Sequence, residues 1–291
     1  MEVGIIGGGA IGLLIASHLH EVHKVTLYVK REEQREALNR NGVFCSSLRH
    51  TAYVDVQLFT GQRMEHDLVI LAVKQQSLGS VIDNLSTEAA LLFLQNGMDH
   101  LEPISNLSNP CLIGIVEHGA LKERDTDVLH TGKGKIVIAA HHGLEAIEDW
   151  AARLSTAEFP FVTGQAYFPI LAKKLVVNTV INPLTALFHV NNRALMDNPS
   201  IQSLAKQLCK EACHVLDLSY SEQWERVAAV AYNTGENQSS MLQDIRLGRK
   251  TEVDAICGYI VKSAKGEAPF HEFVMEAIHA LEIQSDRGEA L

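Results

Sequence analysis

Three polar side chains recur at helical spacing in an apolar stretch, and their types could bind a polar ligand. Lys174, Asn178 and Asn182 stand at positions i, i+4 and i+8. In a helix each step of four residues turns by about 40° and rises about 6 Å, so the three side chains share one stripe. Burying a Lys and two Asn is costly unless polar groups face them. A cleft that holds a polar ligand would satisfy them.

A second interpretation of this stripe stays open on spacing alone. The same side chains could form a hydrogen-bonded network at a domain interface, with Lys174 reaching solvent. The neighbouring Lys173 is a weaker candidate because its partners at i+4 and i+8 are Val177 and Ile181. Pro183 cannot donate to the helix ladder and should kink the helix near Asn182.

A glycine motif near the N-terminus predicts a dinucleotide site. The GxGxxG pattern follows a predicted strand (residues 2–6) and opens a predicted helix (residues 10–20). In such a turn the first glycine permits the sharp bend, the second admits the pyrophosphate, and the third lets helix and strand pack closely. The helix N-terminus adds a favourable dipole for phosphate. The residues expected against the cofactor are Gly7, Gly8, Gly9, Ala10, Ile11 and Gly12.

The end of the second predicted strand indicates which dinucleotide binds. NAD enzymes usually place Asp or Glu there to bind the ribose hydroxyls. Here the strand at residues 25–29 ends in Lys30 and Arg31, two cations that suit a 2′-phosphate. Glu32 and Glu33 follow, so an ordinary acidic helix start is the alternative. We expect NADPH as the cofactor.

Four more polar residues stand where the predicted elements end or begin. Lys74 and Asn96 follow the predicted buried strands at 68–73 and 90–94, on the sheet edge where ligands bind in open α/β folds. Ser240, with Ser239, can start a helix. Glu252 falls in a first helical turn, where Thr251 and Asp254 resemble a capping box.

These residues need a two-part scaffold. The first half alternates β-branched runs with helical patterns, which predicts a parallel sheet with crossover helices. From about Pro169 strand signals stop and the pattern turns helical. We therefore predict an α/β fold with an N-terminal Rossmann-type domain (residues 1–166) and an all-α C-terminal domain (residues 167–291). A substrate would be expected in the cleft between two such domains.

Composition narrows the function classes. The 291 residues carry a formal charge of −10, which argues against nucleic acid as a partner. The start lacks a signal-peptide pattern and no long uninterrupted apolar run is present, so we expect a soluble cytoplasmic protein with no membrane partner. Five scattered cysteines indicate reduced thiols. Cys209, Cys213 and His214 have helical spacing, but without a fourth ligand we predict core packing and no metal.

The motifs together resemble those of the ketopantoate reductase (2-dehydropantoate 2-reductase) family along essentially the whole chain. The matching segments are GIIGGGAIG (4–12), the basic turn at 30–31, VKQQ (73–76), LQNGM (94–98), KLVVNTVINPLTALF (174–188) and NQSSMLQDIRLGRKTEVDAICG (237–258). The last two are specific to this family, and the order and separation of the segments also fit. The resemblance implies NADPH-dependent reduction of ketopantoate to pantoate, on the route to pantothenate and coenzyme A.

The resemblance also implies a role for each matching residue. Lys174 would be the general acid that protonates the keto oxygen, and Glu252 would orient it. The substrate would be bound by Asn178 and Asn182, with Ser240 and Asn96 on its carboxylate. Arg31, Lys74 and Asn96 would lie along the cofactor. An ammonium donor fits this chemistry because negative charge develops on the oxygen as hydride arrives.

Two departures from the family pattern bear on the substrate. The family commonly has Trp where this chain has Ala172, and Asn where it has His271. Reduction of another small 2-keto acid is therefore an alternative, and a non-catalytic NADP-sensing protein is a second. The apolar faces of the long C-terminal helices would allow a homodimer.

Overall fold

The computed structural model describes residues 1–286. Contacts divide the chain into two compact units. The first holds Met1–Gln95 and His100–Phe168, and the second holds Asn96–Asp99 and the chain from Pro169 onward. The boundary predicted at 166/167 thus lies two residues before the change at Phe168. Sequence reasoning did not foresee that a short piece of the N-terminal half, Asn96–Asp99, packs within the second unit.

An eight-stranded sheet forms the centre of the first unit, in the order β11-β10-β7-β6-β5-β1-β2-β4. Its neighbouring strands are parallel except for the antiparallel pair β10 and β7. A small second sheet has the order β3-β9-β8. The strands are β1 (Glu2–Ile6), β2 (Lys24–Val29), β3 (Phe44–Cys45), β4 (Asp55–Leu58), β5 (Leu68–Leu71), β6 (Ala90–Phe93), β7 (Cys111–Val116), β8 (Gly119–Lys122), β9 (Asp127–Gly132), β10 (Ile136–His142) and β11 (Phe161–Thr163).

Five helices complete the first unit: α1 (Ala10–Leu19), α2 (Glu32–Asn41), α3 (Gln75–Asp83), α4 (Leu101–Ile104) and α5 (Ile147–Leu154). Helix α1 contacts strands of both sheets and is buried from Gly12 to Leu19. Burial on all sides explains why its sequence is apolar around the whole circumference. Helix α1 therefore fixes the glycine turn from which it starts to the core of the unit.

In its described residues the second unit contains helices and connecting segments but no strand. Its helices are α6 (Tyr167–Phe188), α7 (Ala194–Asp197), α8 (Pro199–Val215), α9 (Tyr220–Asn233), α10 (Ser240–Arg246), a π-helical segment (Asp254–Gly258), α11 (Tyr259–Ala264) and α12 (Pro269–Asp286). Helix α6 passes through Pro183 without interruption. The predicted fold class, a Rossmann-type parallel-sheet domain followed by an all-α domain, is confirmed.

Helix α6 is long and apolar enough to span a membrane by length and composition, and 67% of its most apolar window is buried. Its buried face includes Leu175, Val176, Val180, Ile181 and Leu184. Within this helix the side chains of neighbouring elements, rather than solvent, cover the apolar surface.

The capping box predicted at Thr251 and Asp254 is half wrong. Thr251 Oγ1 accepts from the Val253 amide over 3.2 Å, as an N-cap does. However, the Thr251 amide donates a hydrogen bond to Glu282 Oε1 over 2.7 Å. The carboxylate of Asp254 instead contacts His279, with Oδ1 and Nε2 2.9 Å apart. The carboxylate of Glu282 on α12 thus accepts the N-cap amide, which the capping box would have assigned to Asp254. The predicted single helix over 252–263 instead begins with the π-helical segment.

Candidate active site

The glycine turn has the geometry that a pyrophosphate needs. Gly7 has φ +121°, and a Cβ there would lie 2.8 Å from the carbonyl oxygen of Ala72. At Gly12 a Cβ would lie 1.8 Å from the Gly7 oxygen, so only glycine lets α1 pack this close. At Gly9, the N-cap of α1, an added Cβ would meet no atom of the described chain within 4 Å. The turn therefore leaves open space in front of a helix N-terminus.

A cluster of polar side chains lies beside this turn. Arg31 forms a short ion pair with Asp125, and Lys122 Nζ lies 2.8 Å from the same carboxylate oxygen. Lys122 also donates to the Gly8 carbonyl over 3.2 Å, and Gln34 Nε2 donates to that carbonyl over 2.8 Å. Hydrogen bonds from Lys122 and from Arg31 outweigh burial and hold the pKa of Asp125 below its ordinary value.

Sequence reasoning found Arg31 but missed Lys122, Gln34 and Asp125. The last two are 91 positions apart and meet because the β8–β9 hairpin folds back onto the start of α2. A usable signal was the charged run Lys122-Glu123-Arg124-Asp125 between two short strands. The other predicted cofactor residue of this unit, Lys74, is exposed and is the N-cap residue of α3.

The predicted polar stripe is present on α6. Lys174, Asn178 and Asn182 are each half-buried, and the residues between them on the helix are mostly buried. The spacing of four residues therefore produces the single polar face that the sequence indicated. Exposure of this degree leaves polar atoms within reach of a small ligand.

Asn96 and Glu252, which lie 156 positions apart, are in direct contact. Asn96 Nδ2 donates to Glu252 Oε2 over 3.0 Å. Gly97 makes this possible: it has φ +82°, and a Cβ there would lie 2.1 Å from the carbonyl oxygen of Ala255. The Asn96–Asp99 segment can therefore pack directly on the π-helical segment that follows Glu252. Such single π-helical turns occur frequently at functional sites.

Two hydrogen-bonded contacts attach further elements to α6. Thr179, next to Asn178, donates to the sulfur of Cys257 in the π-helical segment over 3.4 Å. Thr185 Oγ1 lies 2.6 Å from the hydroxyl of Ser239, which caps α10 by accepting from the Leu242 amide. These contacts hold the elements that carry Glu252 and Ser240 against the helix that carries Lys174. The predicted residue Ser240 is the first residue of α10 and is exposed.

The two departures from the family pattern both lie in the interior. Ala172 is fully buried on α6. His271 is also fully buried, and its Nδ1 contacts Glu211 Oε2 at 2.7 Å. The same carboxylate accepts the backbone amides of Phe270 and His271, so Glu211 caps α12. The resemblance leads us to expect that His271 bears on the substrate, but its described contacts attach α12 to α8.

Two groups of cysteine and histidine side chains, which are possible metal ligands, have contacts within the protein. Cys209 and Cys213 are buried with their sulfurs 4.0 Å apart, whereas His214 is exposed near Glu267. In the described chain, ligand atoms of three residues come within 4.8 Å of one another at His18, Cys45 and His130. The Ser47 hydroxyl lies 2.9–3.4 Å from Cys45 Sγ, His18 Nε2 and His130 Nδ1. These hydrogen bonds satisfy the cluster as it stands.

Comparison with known proteins identifies the family. The family model "Ketopantoate reductase PanE/ApbA" matches residues 3–143, and its C-terminal counterpart matches residues 169–282. The chain belongs to the ketopantoate reductase family. A 2-dehydropantoate 2-reductase of Bacillus subtilis is 38% identical over 296 residues, covering 99% of each chain. One from Listeria monocytogenes is 34% identical, covering 98% of each.

Solved structures extend the comparison. The crystal structure of a probable 2-dehydropantoate 2-reductase from Bacillus subtilis superposes with a TM-score of 0.86 at 38% identity, covering 97% of this chain and 100% of that one. A D-mandelate dehydrogenase with NADH and anilino(oxo)acetate gives 0.90 at 23% identity, with 98% and 99% covered. A dimeric ketopantoate reductase from Staphylococcus aureus gives 0.79 at 23% identity, with 98% and 100% covered. At 23% identity, the last two comparisons show that those proteins have the same fold as this chain.

The close approach at Gly97 predicts the effect of one substitution. Replacing Gly97 with Ala should lower the free energy of unfolding by roughly 2 kcal/mol, because the methyl group meets a carbonyl oxygen and the backbone angle is unfavourable. Denaturant unfolding measures the change. The matched control is Gly79→Ala in the exposed part of α3, where an added Cβ meets no described atom within 4 Å. Equal stability of the two variants would contradict this account.

Proposed function

We propose that this chain reduces 2-dehydropantoate to pantoate with NADPH. The observation that carries the proposal is the hydrogen bond between Asn96 and Glu252. It joins two family motifs from distant parts of the sequence within one helical unit. Thr179 then connects the same unit's π-helical segment to the helix that carries Lys174.

The residues of the first unit fit the cofactor. Gly9 leaves open space at the start of α1, and Arg31 with Lys122 supplies positive charge beside the turn. We assign the pyrophosphate to the backbone of Gly7–Gly12 and the 2′-phosphate to Arg31. Lys74 is assigned to the cofactor as well. When bound, NADPH supplies the hydride that adds to the keto carbon.

Lys174 is assigned the proton. An ammonium group has three N–H donors, so Lys174 in this form carries the proton that the product hydroxyl needs. Its ammonium group stabilises the negative charge that develops on the keto oxygen and then neutralises it. The chemistry needs no base on the enzyme, since the substrate gains both hydride and proton.

The neighbouring polar residues are assigned to orientation. Asn178 and Asn182 continue the Lys174 stripe and can donate to substrate oxygens. Asn96 uses one amide hydrogen on Glu252 and keeps a second for the substrate carboxylate or the cofactor. The Ser240 hydroxyl is assigned to the same carboxylate. Glu252 is a positioning residue that holds Asn96 and orients Lys174.

We also infer a homodimer in the cytoplasm. Large apolar side chains of the helical unit are exposed, with Phe273 at 63% and Ile283 at 56% on α12. A related ketopantoate reductase from Staphylococcus aureus is described as dimeric. All five cysteines are free and buried, which suits a reducing compartment. Light scattering of the protein in solution tests the dimer.

The assay for the proposed function follows NADPH oxidation with three keto acids. Ketopantoate should give a higher kcat/KM than pyruvate or 2-ketoisovalerate. Both of those keto acids lack the hydroxyl group of ketopantoate, so a polar side chain that bonds this hydroxyl would be left unpaired. Rapid turnover of a competitor with none of ketopantoate would leave the reaction type standing and overturn the substrate.

Replacing Lys174 with Ala should lower kcat for ketopantoate by about 10²–10⁴-fold, the usual contribution of a general acid. The dissociation constant of NADPH should stay close to that of the wild type, which fluorescence titration measures. Lys173→Ala is the matched control: it removes the same charge from the same helix one residue away and should turn over near the wild-type rate. A Lys174→Ala enzyme as fast as this control would disprove the assignment.

A further inference from the structure

The cation assigned to the 2′-phosphate already has an anionic partner inside the protein. Asp125, at the tip of the β8–β9 hairpin, pairs with both Arg31 and Lys122 through the same oxygen, Oδ1. The three side chains are 51%, 33% and 22% exposed for Arg31, Asp125 and Lys122. The carboxylate is thus enclosed more than Arg31 is, while water can still reach it.

The hairpin also contacts the glycine turn and α2 through hydrogen bonds to backbone carbonyls. Lys122 Nζ and Gln34 Nε2 both donate to the carbonyl of Gly8, at 3.2 and 2.8 Å. Gln34 Nε2 lies 3.0 Å from the Asp125 carbonyl as well. Lys122 therefore stays near the turn whether or not the Asp125 carboxylate holds it. The neighbouring acidic residue Glu32 is paired with Arg35 and does not compete for Arg31.

We infer that Asp125 is a resident counterion for the 2′-phosphate subsite, and that Lys122 is the second cation of that subsite beside Arg31. The 2′-phosphate of NADPH would replace the Asp125 carboxylate on both cations. NADH has a hydroxyl at that position and would leave the Asp125 pairs in place. This inference rests on the proposed binding of NADPH at the glycine turn.

The energetic consequence has a definite sign. Binding of NADPH must break two carboxylate–cation pairs and bring a phosphate dianion close to the released carboxylate. Both effects oppose binding, so the carboxylate lowers the affinity for NADPH below what Arg31 and Lys122 could give. In return, the pairs hold the two cations in place when the coenzyme is absent. Asp125 thus adjusts affinity for the phosphorylated coenzyme alone.

The experiment measures dissociation constants for NADPH and NADH by fluorescence titration, with no keto acid present. Asp125→Asn should bind NADPH roughly three- to tenfold more tightly, the range expected for losing half-exposed ion pairs and a like-charge repulsion. Its affinity for NADH should not change. Lys122→Gln keeps a donor for the Gly8 carbonyl and should weaken NADPH binding without affecting NADH. Glu123→Gln, which removes the same charge two residues away on the same hairpin, is the matched control and should resemble the wild type.

Each other outcome overturns the inference. Unchanged or weaker NADPH binding by Asp125→Asn would mean that the carboxylate does not compete with the phosphate. An equal rise in the affinity for NADH would mean that the effect does not depend on the 2′-phosphate. An equal rise in the NADPH affinity of Glu123→Gln would mean that any lost negative charge on the hairpin has the same effect. If Asp125→Asn does not fold, Lys122→Gln decides through its NADPH-to-NADH ratio. Failure of the wild-type protein to bind NADPH would instead overturn the proposed function, together with this inference.

Discussion

A backbone contact at Gly97 determines where the polar groups of the helical unit meet. The carbonyl of Ala255 occupies the space that any side chain at position 97 would need. The Asn96–Asp99 segment therefore reaches the π-helical segment, and Asn96 bonds Glu252. Without this approach the two residues would belong to unrelated loops.

The second constraint is the cost of polar groups on a buried helix. Helix α6 buries most of its surface and yet keeps Lys174, Asn178 and Asn182 on one half-buried face. Removing these groups from water is unfavourable unless polar partners compensate for it. Two hydroxyls, those of Thr179 and Thr185, hold neighbouring elements against this helix. Hydrogen bonds thus join α6, which carries Lys174, to the π-helical segment that follows Glu252 and to Ser239, next to Ser240.

Much of this architecture could be predicted from residue patterns, for physical reasons. The Gly7–Gly12 turn and the polar stripe on α6 are local, because a glycine pattern and a four-residue period depend only on nearby backbone geometry. The five strands β3, β4, β8, β9 and β11 were missed since few of their residues are fully buried. The partner of β3 also comes from a distant part of the chain, since Phe44 pairs with Asp127.

Contacts between side chains that lie far apart in the chain could not be predicted from the sequence either. The charged run that contains Asp125 does not show that this residue meets Arg31, because the hairpin fold brings the two together across 94 positions. Likewise Glu282 caps Thr251 from another helix, where a local carboxylate was expected. The resemblance to a family supplies part of this information, since it places Asn96 and Glu252 in one site and the two residues are in contact.

Chemical rescue tests the central claim, that an ammonium group on α6 delivers the proton. The Lys174→Ala enzyme would be assayed with saturating NADPH and ketopantoate while methylammonium is added, and with tetramethylammonium at the same ionic strength. We predict that the rate rises with methylammonium and levels off, whereas tetramethylammonium, which has no proton to give, has no effect. Equal responses to the two cations would contradict the role of Lys174 as the acid.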